Sequence, residues 1–255
     1  MHVAGPGPGK IDEQFRIRLD ESVWTAAYLP AWSSRAAAAA AVRVEADGLH
    51  LSIPREHPVW CAGLHEPPLR VSAVQSANWS GPLGSSRGQQ PFRDGLRVRE
   101  FQPEQWGYTP HYGRLEVTCR ADIGPGSMFS AWLIGLEDEP ERCGEICLVE
   151  VFGDSVANGT VGLGCGIHKF RDPALTEEFA IHPHEIDVGE DHRYALDWQP
   201  GRVSFFLDGA PIVTLDQAPD YPMELIIAVF DFPDAAGSTD VMPELVVSRV
   251  LGTSD

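Results

Sequence analysis

Gly144-Glu145-Ile146-Cys147-Leu148-Val149-Glu150-Val151-Phe152-Gly153 is the stretch on which the reading of this chain turns. Ile146, Leu148, Val149, Val151 and Phe152 favour strands, and Gly144 and Gly153-Asp154 bracket the run with turn signals. Two glutamates interrupt it. A buried carboxylate without a partner costs several kcal/mol, so an apolar strand with two of them needs a chemical reason. Paired carboxylates facing a cleft are the equipment for acid/base and nucleophilic work at a glycosidic bond.

On a regular strand, residues five apart point to opposite faces, and Glu145 and Glu150 would diverge. One β-bulge between them restores the parity and turns both to one side. Their Cα atoms would then lie about 13 Å apart, roughly four strand rises. Leaning together, the carboxyl groups could approach to about 5–6 Å, the separation of a retaining glycosidase. Cys147 would share their face. The alternative is a solvent-facing strand edge whose acids are merely hydrated.

Outward from this strand, similar stretches recur at Phe15–Leu19, Val42–Glu45, Leu49–Ile53, Leu69–Val74, Leu96–Phe101, Gly113–Cys119 and Phe129–Gly135. More follow at Thr160–His168, His192–Trp198, Arg202–Leu207, Pro211–Leu215, Met223–Val229 and Glu244–Leu251. Asp208-Gly209 is the turn of a clear hairpin. Ala36–Ala41 is too short to hold a helix by itself. Many short strands and little helical periodicity predict an all-β sandwich of two antiparallel sheets. Asn78–Gly95, dense in Gly, Ser, Pro and Arg, reads as a long surface loop.

The chain has 255 residues, within the range of one all-β domain, expected over 11–255 behind a flexible leader at 1–10. A formal charge of −18 argues against nucleic acid or an anionic membrane as partner. No apolar run is long enough to span a bilayer. No signal peptide is visible, so a cytoplasmic location is the default expectation, with secretion the alternative if a leader was removed. The five cysteines have no framework spacing and are expected to be reduced.

Four segments together resemble glycoside hydrolase family 16, the laminarinase and lichenase group. Tyr112-Gly113-Arg114-Leu115-Glu116 resembles the family's Tyr-Gly-Arg-(aromatic)-Glu strand, and Met128-Phe129-Ser130-Ala131-Trp132-Leu133 its Trp-Pro-Ala-Phe-Trp-Leu strand. Glu145-Ile146-Cys147-Leu148-Val149-Glu150 resembles the signature Glu-Ile-Asp-x-x-Glu. His192–Trp198 with the Phe205-Phe206-Leu207-Asp208-Gly209 turn resembles its aromatic hairpin. The resemblance implies a concanavalin A-like β-jelly roll whose concave face holds a polysaccharide. It implies a retaining glycosidase, with Glu145 as nucleophile and Glu150 as general acid/base. Trp132 would line the sugar site, and His168 would sit beside the acid/base. A monomer acting on a neutral polysaccharide, such as a β-1,3 or mixed-linkage glucan, is expected. A transglycosylase or a non-catalytic lectin-like protein on the same scaffold are the alternatives.

Two positions depart from the family. Cys147 stands where the family has an Asp that hydrogen-bonds the nucleophile, and a thiol is a weak donor and a poor acceptor. Slower turnover or a shifted pH optimum follows. On the closing strand, Val246 replaces an Asp that helps bind structural calcium, so no metal or other cofactor is expected.

Trp79, Trp106 and Arg87 are further substrate-binding candidates: the tryptophans as sugar platforms or packed side chains, the arginine as a partner of sugar hydroxyls or a solvated loop residue. Trp60 and Trp198 read as core, and Trp24 and Trp32 as core or cleft fringe. His182-Pro183-His184 with Glu185 reads as a solvated loop rather than a metal site. Cys165 and His168 would point to opposite faces, against a metal site with Cys143 and Cys147. A Ser hydrolase elbow and phosphate-binding loops have no matching motif.

Overall fold

The structure is a computed structural model that describes residues 7–157, 159–235 and 242–254. Strands β1 (Ile11–Glu13), β2 (Ala41–Glu45), β3 (Gly48–Ser52) and β4 (Arg70–Gln75) come first. Two short strands, β5 (Ala77–Asn78) and β6 (Gln105–Trp106), precede β7 (Gly113–Asp122), β8 (Ser127–Gly135), β9 (Glu145–Phe152) and β10 (Val161–His168). The chain continues through β11 (Glu178–His184), β12 (His192–Gln199), β13 (Arg202–Leu207), β14 (Ala210–Leu215), β15 (Met223–Asp231) and β16 (Glu244–Thr253).

One antiparallel sheet has the order β14-β13-β12-β7-β16-β3-β2, with β1 also on β16. The other has the order β11-β10-β9-β8-β15-β4. The two stack as a β-jelly-roll sandwich around one apolar core. Alternate residues enter that core: Leu115 and Val117 of β7 and Leu196 and Trp198 of β12 meet Leu133 of β8 and Leu225 of β15. On β7 the burial alternates strictly, which leaves Arg114, Glu116 and Arg120 outside.

The second sheet is covered on its outer face as well. Irregular segments between β1 and β7 lay Trp32, Trp60 and Leu96 against Trp132, Ile226 and Phe230, forming a second buried cluster. This explains why every residue of β8 and β15 is buried. The acidic stretch lies on β9, next to β8 in the same sheet.

The expected strands at 15–19 and 96–101 do not form. Phe15 is fully buried at φ 49° against Trp24, and Leu96 and Val98 anchor an irregular loop. Apolar anchors in loops thus imitate strand residues. Strand β11 runs through His182-Pro183-His184, which the sequence reading took for a loop; its place at the sheet edge tolerates the proline. Ala36–Ala38 form a turn and Ala41 opens β2, while the Asn78–Gly95 loop buries Trp79, Gly88 and Gln89 rather than running wholly over the surface. Asp208 and Gly209, at φ 51° and 84°, make the expected hairpin turn. Residues 1–6 of the expected leader lie outside the described residues. Among the described residues no helix is long and apolar enough to cross a membrane.

Candidate active site

Strand β9 carries the bulge. On β8, Ala131 faces Val149 while the next residue, Trp132, faces Cys147, so Leu148 is extra. On β10, Gly164 faces Glu150 and Gly166 faces Cys147, again with one residue too many on β9. Leu148 and Val149 both turn into the core, and Glu150 returns to the face of Glu145 and Cys147. Ser130 Oγ donates to the Val149 carbonyl at the bulge (2.8 Å).

The two glutamates feel one another. Burial, then the charge of Glu150, then that of Glu177 push the Glu145 carboxyl up to about 8. Burial also raises Glu150, against the pull of His168. Cys147 is fully buried, and burial with both neighbouring carboxylates drives its thiol well upward, so it stays protonated. Among the described residues, no hydrogen bond reaches either glutamate. Both carboxyls are pushed upward, which favours retention of a proton in the pair, as acid-plus-nucleophile chemistry requires. Cys147 offers Glu145 no strong donor to offset this burial.

His168 faces Glu145 across the β9–β10 pair; its Nδ1 lies 2.5 Å from Glu177 Oε1 and its ring stacks on Phe179 at 4.5 Å. Gly162, Gly164 and Gly166 share its face of β10. The ring of Phe179 occupies the space where a side chain at Gly164 would stand. Trp132 and Glu145 line a common cavity of about 230 Å³. Tyr28, Trp60, Phe92, Glu137 and Arg171 complete its walls. None of these five was a site candidate in the sequence, and Trp60 read as core. They come from irregular loops, where no periodic pattern marks them.

Trp79, Trp106 and Arg87 line a small cavity with Glu104 and Asp138, and Trp79 and Arg87 line a second one that shares Pro91, Glu137 and Arg171 with the Glu145 cavity. Trp79 is buried, its indole N–H donating to the Leu136 carbonyl (2.7 Å), and Arg87 lies 5.7 Å from its ring centre. Trp24, Trp32 and Trp198 are buried core residues.

All five cysteines are free and buried. Among the described residues, Glu45, Asp47 and His50 form the one triad with ligand atoms within 4.8 Å of each other. It lies beside Val246, which pairs with His50. Guanidinium groups already hold its acids: Arg43 bonds Glu45 (3.0 Å) and Glu244 (2.8 Å), and Arg120 bonds Asp47.

A model of the glycosyl hydrolases family 16 matches residues 107–241. Among solved structures, the chain is similar to a GlcNAcα1-4Gal releasing endo-β-galactosidase from Clostridium perfringens, at 23% identity and a TM-score of 0.81. That match covers 98% of this chain but 64% of the Clostridium chain. The laminarinase catalytic domain from Thermotoga maritima MSB8 matches at 13% identity and TM-score 0.63, over 98% of this chain and 99% of that one. The Bacillus licheniformis β-glucanase matches at 15% and 0.62, over 97% and 99%. These likenesses show the fold. A search of curated protein sequences finds no match.

Proposed function

The chain belongs to glycosyl hydrolase family 16 and is a glycan-active enzyme, and we propose that it is a retaining endo-hydrolase of a neutral β-linked polysaccharide. The observation that carries the proposal is the bulge at Leu148, which turns Glu145 and Glu150 to one open face. Glu145 attacks the anomeric carbon while Glu150 protonates the departing oxygen. Water activated by Glu150 then releases the glycosyl group from Glu145 with its configuration retained. Trp132 offers an apolar ring face to the sugar. The surplus of carboxylates favours uncharged glycans, of which a β-1,3 or mixed-linkage glucan is the first candidate and a β-galactan the second.

A protonated Glu145 cannot attack, and burial favours its protonated form, so turnover falls at acidic pH. Azide rescue tests the two roles. Glu145→Gln should lose turnover on laminarin, lichenan or agarose and regain it with azide, giving a glycosyl azide of inverted configuration. Glu150→Gln should give the retained azide on a substrate with a good leaving group. Undiminished activity in either variant removes the assignment. Products longer than the substrate mark a transglycosylase, and binding without release of reducing ends marks a carbohydrate-binding protein.

A further inference from the structure

The Glu145 carboxyl accepts no hydrogen bond among the described residues, and the thiol beside it is a weak partner, so its direction is set by the backbone that carries it. That backbone is held from two loops. The N–H of Gly144, the residue before Glu145, donates to the hydroxyl of Tyr221, just ahead of β15, at 2.7 Å. Tyr221 in turn donates to Asp172 Oδ2 at 2.6 Å, in the connection between β10 and β11, and Asp172 Oδ1 accepts from the Ala174 N–H at 2.8 Å. The polarity of this chain is fixed. A peptide N–H can only donate, so the phenol oxygen accepts from Gly144 and its one proton goes to Asp172. Burial and the neighbouring carboxyl push the Tyr221 phenol upward, which keeps that proton in place.

The surroundings are cut to fit the phenol. A Cβ at Gly144 would lie 2.6 Å from the Tyr221 oxygen and 2.4 Å from Leu175 Cδ1, and one at Gly135 would lie 2.8 Å from Tyr221 Cε2. Tyr221 and Asp172 are both buried, so water competes little for these bonds. Asp172 also sits within the 169–177 loop, whose other residues meet the site. Phe170 and Arg171 wall the Glu145 cavity, and Glu177 holds His168 Nδ1 at 2.5 Å. The Arg171 N–H donates to Cys143 Sγ at 3.3 Å, one residue before Gly144.

We propose that Tyr221 and Asp172 are positioning residues for the reaction. They fix the peptide in front of Glu145, and so the line along which its carboxylate meets the anomeric carbon, and they tie the 169–177 loop to that peptide. Neither side chain lines the Glu145 cavity, so both act through Glu145 rather than on the sugar. A displacement of about 1 Å at a reacting atom is enough to cost roughly a hundredfold in rate. The inference rests on the reading of Glu145 as the nucleophile, and it adds the groups that aim it.

Steady-state kinetics of the intact chain, on whichever of laminarin, lichenan or agarose it cleaves, tests the proposal. Tyr221→Phe keeps the ring and its packing on Gly135 but drops the bonds to Gly144 and Asp172. Its kcat should fall by about ten- to a hundredfold while KM stays within about twofold. Asp172→Asn, which keeps one acceptor oxygen, should lose less than Asp172→Ala. Tyr221→Phe combined with Asp172→Ala should be little slower than Asp172→Ala alone, because the two residues act as a unit. Deuterium exchange at the Gly144 N–H should quicken in Tyr221→Phe. Parent-like kcat in the variants, or a loss carried by KM, overturns the positioning role; if Tyr221→Phe does not fold, Asp172→Asn and Asp172→Ala decide by the same measure. A parent inactive on every glycan removes the reading of Glu145 and this role with it, whereas an active parent with equally active variants removes the role alone.

Discussion

Glu145 on β9 and His168 on β10 are direct partners across an antiparallel pair, so their side chains leave the sheet on the same side. Yet the charge of His168 acts on Glu150, whose partner Gly164 lies four residues along β10, and which the bulge returns to the same face. One imidazole thus pairs in register with the first acid and favours ionisation of the second. The surrounding groups agree with this division: Glu177 holds the ring from one side and Phe179 from the face.

His168→Ala should raise the pKa of Glu150, because the opposing positive charge is gone. If Glu150 is the proton donor, the alkaline limb of the pH–rate profile moves to higher pH, and kcat falls by about ten- to a hundredfold. An unchanged alkaline limb would separate His168 from the acid/base.

Restoring an acid at the centre of the signature, Cys147→Asp, should raise kcat by about one to two orders of magnitude, since a carboxylic acid can donate to Glu145 where the thiol cannot. Cys147→Ser, a poorer donor, should give less. Steady-state rates for the three proteins decide the matter; a drop in both variants would assign Cys147 to packing.

Glu145 also links stability to pH. Its carboxyl ionises at about 8 in the fold against an ordinary value of 4.5. Between those values the folded chain holds the extra proton, so the stability it contributes is present at low pH and declines as pH rises toward the folded value. Glu145→Gln removes that decline. The variant should match the parent near pH 4 and melt roughly 5 °C higher near pH 9, a difference of about 2 kcal/mol. Calorimetry at the two pH values measures it, and equal melting points at pH 9 would contradict the half-buried, unpartnered state of Glu145.

The glycine row under Phe179 is a packing requirement. At Gly166, φ is 145° and an added Cβ would lie 2.3 Å from the Glu178 carbonyl oxygen. Gly166→Ala should cost about 3 kcal/mol or more, roughly 6–12 °C in melting temperature. Gly162→Ala, which meets the Ile181 side chain at 2.9 Å rather than backbone, should cost less. Thermal denaturation of both separates the two cases.

Much of this was legible in the residues. Period-two alternation on β7, the Asp208-Gly209 turn and the two acids inside an apolar run are local patterns, and local sterics make them readable one strand at a time. The bulge was legible too, because a regular strand could not have put both acids on one face. Strand β11 was hidden by its proline and histidines, and Leu96 and Val98 misled because a loop anchor and a strand residue bury the same atoms. By itself, then, the chain determined the sandwich and the acidic pair. Which side chains surround that pair was decided by tertiary structure alone. Tyr28, Trp60, Phe92, Glu137 and Arg171 reach Glu145 from separate loops, and the path of those loops depends on burial against the outer face of the second sheet, a contact with no periodic trace in sequence.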